Sequence, residues 1–324
     1  MTGTTVQVSA PARPGAQVAV ALLTVYVIWG STYLAIRVAV TSHLPALVSM
    51  GARFVVAGLL LAVILTTRRG VRGLRVDRGQ LLGSAVVGLL LLLVGNGLVS
   101  IAETTVPSGL AALLVATTPL WLVVLGSALG SRTRGTTWLG TLVGFAGTAV
   151  LARPGGQTGS VQWWGIGIIL VGTLGWATGS LLSGRLRMPD DLFVGATYQM
   201  LLAGTAMMAV GAARGELRGL DLGTVPARGW FALVYLVTFG SLVAYTAYYW
   251  LLRNAPLQLV STYAYVNPVV AVLLGWALLG EEVSVGVVVG GAVALLGVAI
   301  VISSERRGRP DPVDPVESGE SPGG

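Results

Sequence analysis

VPSGLAALLVATTPLWLVVLG, residues 106–126, carries no charged side chain in 21 positions and has a proline at its start. About 20 consecutive apolar residues are what a helix needs to cross the hydrocarbon core of a bilayer. Proline costs little at a helix start, where its missing N–H would have no partner anyway. The stretch therefore reads as a membrane-spanning helix beginning at Pro107. It also has an echo. APLQLVSTYAYVNPVVAVLLG, residues 255–275, repeats the spacing: Pro256 and Pro268 lie twelve apart, as do Pro107 and Pro119.

Working outward with the same criterion, apolar runs fall near 17–39, 45–66, 80–102, 107–129, 135–153, 162–184, 191–213, 228–251, 256–280 and 283–303. Pro45, like Pro107 and Pro256, marks a helix start. The chain of 324 residues is 54% hydrophobic and 10% charged, with a mean hydropathy of +0.81. A soluble domain carries about 25% charge to keep its surface wet, so lipid is the solvent for much of this surface. The 46 glycines show no Gly-X-Y period and are read as helix-packing residues. The first apolar run exceeds a signal-peptide core and is read as a retained helix. The polar ends, 1–16 and 304–324, are expected to be disordered.

The net charge of +7 comes entirely from arginine, clustered between apolar runs. That pattern is membrane topology rather than a nucleic-acid surface, so no nucleic-acid partner is expected. Without lysine there is no Walker A loop, and no ATP is expected. Without cysteine, and with His43 as the one histidine, no metal or other cofactor is expected. With the N-terminus in the cytoplasm, fourteen arginines fall in inner segments and four in outer loops (Arg153, Arg214, Arg218, Arg228). The positive-inside rule then puts both termini in the cytoplasm.

The echo extends beyond the prolines. Trp29 and Trp176 take similar places in the first and sixth runs, and Gly140-x-x-x-Gly144 is matched by Gly286-x-x-x-Gly290. These correspondences predict two five-helix repeats, 17–153 and 162–303. Five is odd, so the second copy must sit inverted in the membrane. Inverted repeats build secondary transporters whose binding site lies near the midplane. The expected fold is all-α and polytopic: ten transmembrane helices as two inverted repeats, rocking as 1–5 against 6–10 around a central cavity.

Segments VIWGSTYLAIR (27–37), GARFVVAG (51–58), VGNGLVSIAETTVPSGLAALLVATTPLW (94–121) and STYAYVNPVVAVLLGWALLGEE (261–282) resemble the EamA-type transporters of the drug/metabolite transporter superfamily. The last two look especially like its YedA-like inner-membrane subgroup. The resemblance covers residues 17 to about 303 and implies export or exchange of small metabolites across the cell membrane. One departure stands out: family members often carry glutamate after the fourth helix of each repeat. Glu281 keeps that pattern in the second half, whereas Ser131 and Arg132 replace it in the first.

Among candidate site residues, Arg53 lies roughly 12 Å into its helix at about 1.5 Å per residue. An arginine at such depth costs about 2.5–3.5 kcal/mol near the bilayer centre and needs compensation. It either reaches outward to the interface or helix-end carbonyls, or meets an anion such as a substrate carboxylate. No Asp or Glu lies deep in any run to pair with it. Trp29 and Tyr33, four apart on one helix face, with Trp176, Tyr198, Tyr245, Tyr265 and Asn267, lie mid-run and are expected to face the bundle or its cavity, where each either packs between helices or, like Asn96, contacts substrate. Asn96, between Gly95 and Gly97, is expected to cap a helix break or bond between helices. Arg37 reads as an interface anchor and Glu103 as a solvated helix-end charge. No side chain then serves as a proton carrier, and facilitated diffusion or exchange follows. The expected partners are a small polar or amphipathic substrate, with amino acids or related carboxylates foremost, and membrane lipid. Monomer and homodimer stay open. The rivals are a lipid flippase or scramblase and a membrane-embedded lipid-modifying enzyme; the latter lacks a His/Asp/Glu constellation.

Overall fold

The computed structural model describes residues 15–130, 133–151, 163–255, 260 and 262–306. The helices are α1 (Ala16–Thr41), α2 (Ala46–Arg69), α3 (Arg78–Ala102), α4 (Ser108–Ala128), α5 (Gly135–Leu151), α6 (Trp163–Ser183), α7 (Leu192–Ala213), α8 (running through Ala227–Tyr235, Leu236–Val243 and Ala244–Asn254), α9 (Tyr263–Leu279) and α10 (Val285–Arg306). No strand occurs among the described residues. Among the described residues eight helices are long and apolar enough to cross a membrane, α8 over Ala227–Tyr248. Gly135–Leu151 and Val266–Leu279 are shorter apolar helices.

The starts obey local chemistry. Pro45, Pro107 and Pro226 stand immediately before α2, α4 and α8 in extended or similar backbone. Pro256 lies outside the described residues. Asp77 and Gln80 form a reciprocal capping box at the start of α3. The amides of Gln80 and Gly79 hold the Asp77 carboxyl below the usual carboxylate range, with help from Arg187 against its slight desolvation.

Two prolines act inside the bundle. Pro119 interrupts α4, which runs as Ser108–Val115 and then Thr118–Ala128, whereas Pro268 is accommodated within a continuous α9. The third helix of each half carries a wider winding. In α3, residues Leu89–Gly97 adopt π-helix, and in α8 residues Leu236–Val243 do the same. Such stretches concentrate at functional positions, because the extra residue per turn redirects side chains and carbonyls. Asn96 therefore sits in a widened turn that continues into Leu98–Ala102, not at a helix break.

Packing crosses between the halves. Residues of α1 lie against α8 and α9, while α6 lies against α3 and α4; α2 pairs with α7, α4 with α9, and α5 with α10. Glycine lets several backbones touch. A Cβ on Gly51 of α2 would stand 2.6 Å from the Gly204 carbonyl of α7, and one on Gly204 would stand 2.8 Å from the Gly51 carbonyl. In the α5–α10 crossing, Gly140 and Gly290 take part, but Gly147 and Gly297, outside the paired motifs, make the tightest approaches.

Candidate functional site

Arg53 is the side chain around which the site is built. It is 4% exposed, about two turns into α2. Its Nε donates to Ser241 Oγ at 2.9 Å, its guanidinium carbon lies 4.7 Å from the Phe54 ring centroid, and Met50 Sδ lies 4.0 Å from Nη1. Ser241 belongs to the π stretch of α8, and the absent side chain of Gly240 leaves room for Nη2. Among the described residues no carboxylate is within ion-pair distance of Arg53. One hydroxyl bond uses one of the five guanidinium donors. The outward reach to the interface weighed for Arg53 is thus not taken: the group stays inside the bundle.

Trp29 reaches the same turn of α8 from α1, its Nε1 donating to the Gly240 carbonyl at 3.3 Å. Its ring packs on Tyr248, with centroids 4.9 Å apart, and edge-on against Tyr263 at 5.4 Å. With its amide turned so that the nitrogen faces them, buried Asn267 donates to the carbonyls of Tyr263 and Tyr26 at 3.3 Å, joining α9 to α1. Tyr26 also exchanges a short hydrogen bond with Thr262. Trp29, Arg53 and Asn267 thus share one neighbourhood with Tyr26, Thr32, Gly240, Ser241, Tyr248 and Tyr263.

Across the bundle a similar arrangement recurs. Trp176 of α6 covers Gly95 in the π stretch of α3, so close that a Cβ there would stand 2.8 Å from Cε3. Trp29 on α8 and Trp176 on α3 are counterparts in place. Asn96 beside Gly95 is partly exposed. Tyr33 is part-buried near Glu103 and Tyr263, toward the Pro45 end.

Two sequence candidates lie elsewhere. Tyr198 donates to the Leu74 carbonyl at 2.7 Å and packs on Leu61 and Leu65, at the Arg69 end of the bundle. Tyr245 donates to Gln199 Oε1 at 3.4 Å, between α8 and α7. The Tyr265 side chain lies outside those described.

Sequence reasoning missed Tyr26, Ser241, Tyr248 and Tyr263. Tyr26 had a signal, since it precedes Trp29 by three residues and shares its helix face. Ser241 had none; its partner is 188 residues away.

The ends of the bundle correct one charge assignment. Arg37 donates to the Glu103 carbonyl, placing a cation at the C-terminus of α3. Glu103 is 0% exposed, not solvated, and neither carboxylate oxygen has a hydrogen-bond partner. At the same end, Glu281 accepts from Ser108 N at 2.8 Å, Gly109 N at 3.1 Å and Ser108 Oγ at 3.0 Å, capping α4 from the α9–α10 turn. Glu216 caps α2 in the same way, accepting from Leu47 N and Val48 N at 3.0 Å. Opposite, Arg69 pairs with Asp191, and Arg187 with Asp77 at 3.1 Å. The Arg187–Asp77 pair is well exposed and contributes little to stability. Replacing Glu281 with Ala is expected to cost about 1 kcal/mol, the usual loss of an N-cap, read by thermal unfolding in detergent. Faster amide exchange confined to Ser108 and Gly109 would accompany it.

The model of the EamA-like transporter family matches the chain twice, over residues 17–153 and 163–303. The uncharacterized inner membrane transporter YedA of Escherichia coli K12 is 43% identical over 267 residues, covering 82% of this chain and 83% of that protein. An uncharacterized transporter of Archaeoglobus fulgidus is 23% identical over 275 residues, covering 85% and 94%. A solved crystal structure superposes with a TM-score of 0.59 at 21% identity, over 90% of this chain and 99% of its own.

Proposed function

The chain belongs to the EamA-like transporter family, as a YedA-like multi-pass membrane transporter, and from that premise we propose that it exports or exchanges small carboxylate-bearing metabolites by alternating access. The observation that carries the reading is Arg53, a buried guanidinium with a single hydroxyl partner and no carboxylate within ion-pair distance among the described residues. A permanent charge is retained inside a bundle at real cost. A visiting carboxylate offsets that cost, because the Nη atoms present a planar fork suited to bidentate binding. Trp29, Tyr248 and Tyr263 supply an aromatic wall beside it.

The proposed topology has ten spans in two inverted five-helix repeats, 17–153 and 162–303. Both termini, with the tails 1–16 and 304–324, lie in the cytoplasm. Three features support it: the double family match, the reciprocal pairing of α1 with α8 and α6 with α3, and the π stretch in each third helix.

The same packing suggests moving bodies other than the two halves. Rocking 1–5 against 6–10 would part α1 from α8 and α9 and α6 from α3 and α4, besides shearing the α5–α10 crossing. Bodies of α1, α2, α8, α9 and of α3, α4, α6, α7 keep the α1–α8 and α3–α6 packing intact. Their seam then runs along α2–α7 and α4–α9, where small residues permit sliding. Glu216, Glu281, Arg69–Asp191 and Arg187–Asp77 all bridge the two sequence halves at the bundle ends.

The test is counterflow in proteoliposomes loaded in turn with amino acids, hydroxy acids, sugars, nucleosides and organic cations. Carboxylate-bearing compounds are expected to drive uptake, and their methyl esters or amides to fail. Uptake driven equally by the uncharged analogues would sink the anion-site reading. A panel that yields nothing, together with movement of labelled lipid between leaflets, would favour lipid transport.

A further inference from the structure

We propose that Glu103 is a proton-binding site tied to closure of the outer end of the bundle: its carboxyl takes up a proton as that end closes and returns it to the outside water as the end opens. The inference rests on the alternating-access reading and adds a ligand, the proton, that the substrate site does not need. It also replaces the expectation, drawn from sequence, that no side chain could serve in this way.

The case starts from burial without partners. Glu103 immediately follows Ala102, the last residue of α3, yet it is fully buried and both its carboxylate oxygens lack a donor. A carboxylate removed from water with no hydrogen bond is strongly disfavoured as an anion and far better tolerated as the neutral acid. Its setting sharpens the point. From α1 come Tyr33 and the Arg37 guanidinium, which is committed to the Glu103 carbonyl. From the α9–α10 turn comes the Glu281 carboxylate, itself fixed by the α4 amides, with exposed Glu282 beyond it. Tyr263 of α9 lies behind Tyr33. The start of α4 contributes only Ser108 here, and α6, against α3 on the other side, has no charged residue between Trp163 and Ser183. Burial pushes the Glu103 carboxyl well above the usual carboxylate range; Arg37 opposes the shift and Glu281 adds to it.

These walls are the parts that part when the outer end opens. Tyr33 and Arg37 ride on α1, Glu103 on α3, and Glu281 bridges from α9 to the start of α4. Separation of α1 and α9 from α3 and α4 lets water reach Glu103, which then ionises near the ordinary carboxylate range of about 4.3. The sign follows. The closed end binds the proton more tightly, so closure is favoured below the open-state value and lost as external pH rises through the closed-state value. A single group of this kind changes the open-to-closed ratio by at most about tenfold per pH unit.

The chain has no cysteine, so a labelled pair is unambiguous. Thr41→Cys and Thr104→Cys place spin labels on exposed positions of α1 and the α3–α4 connection. His43→Asn removes the one imidazole, whose positive φ asparagine tolerates. Distances are then read by pulsed electron paramagnetic resonance in lipid nanodiscs at about pH 5 and about pH 8, both above the ordinary carboxylate value of about 4.3. The parent is expected to show mainly the short distance at the lower pH and a growing long one at the higher. Glu103→Gln is expected to hold the short distance at both, while Glu103→Asp and Glu281→Gln keep the response. The proposal is overturned if Glu103→Gln responds to pH as the parent does, or if two populations persist in a pH-independent ratio. The latter result leaves alternating access standing. A single short distance under every condition overturns both.

Discussion

Replacing Arg53 with Met is expected to abolish most transport while leaving the protein at least as stable as before. The two halves of that result come from different physics. The guanidinium is buried with one hydrogen bond to Ser241 and no carboxylate within ion-pair distance among the described residues. It therefore adds desolvation cost without a Coulombic return, and substituting an apolar chain of similar length removes that cost. The Ser241 hydroxyl left behind can turn to a carbonyl of its own helix, as many helical serines do. Thermal unfolding in detergent should then shift upward or stay within about 1 kcal/mol of the parent. Transport behaves oppositely. Truncating one partner of a buried, hydrogen-bonded charge pair costs about 2–5 kcal/mol, which corresponds to a loss of roughly 30-fold or more in apparent affinity for a carboxylate. Arg53→Lys keeps the charge and loses the fork, so an intermediate loss is expected. Counterflow of Arg53→Met at parental rates, from equal amounts of inserted protein, would rule out the anion contact. A large loss of stability would instead make Arg53 a structural residue.

The sequence could be read as far as solvent dictates. Long uncharged runs have one stable solution in a bilayer, a helix with all its backbone bonds internal, so the helices were predictable. Prolines at Pro45 and Pro107 marked starts because only there is a missing N–H harmless. Arg53 was legible for the same reason, as a charge where lipid and packing tolerate none. What surrounds it was not. Ser241 and Gly240 look like ordinary small residues of an apolar run until the π turn of α8 brings them to α2. Glu103 shows the limit most clearly. One residue past an apolar stretch, it has the sequence signature of a wet helix end. Its charged neighbours, Arg37 and Glu281, stand 66 and nearly 180 positions away in the chain. Tyr198 errs in the other direction: its position in the run is interior, but its hydroxyl serves the α2–α3 connection.

Gly204→Leu is expected to be among the most damaging single changes in the bundle. Gly51 and Gly204 face each other where α2 crosses α7, each backbone filling the space that the other's side chain would need. A Cβ on Gly204 would meet the Gly51 carbonyl at 2.8 Å, the Val55 amide nitrogen at 2.9 Å and Val55 Cγ2 at 3.0 Å. Two of these three are backbone atoms of a helix and cannot move aside as a side-chain tip can. Inserting even a few methylenes into a packed core costs about 1–3 kcal/mol when side chains can adjust, so a leucine against backbone should cost at least the upper value. In lipid the loss is felt directly, since helices there associate by close packing rather than by hydrophobic exclusion. Gly51→Leu should match it, because a Cβ there would meet the Gly204 carbonyl at 2.6 Å and the Met208 amide nitrogen at 2.8 Å. Gly167→Leu is the control: it is a helical glycine of α6 with nothing within 4 Å of its Cβ position. That change should be neutral or slightly stabilising, since glycine is a poor helix former. Thermal unfolding of the three variants in the same detergent separates the outcomes. Equal stability of Gly204→Leu and Gly167→Leu would mean that α2 and α7 are not held at this crossing. The double variant Gly51→Leu/Gly204→Leu gives the finer result. Once the helices have been forced apart by one leucine, the second meets space already opened, so its added cost should fall well short of the sum.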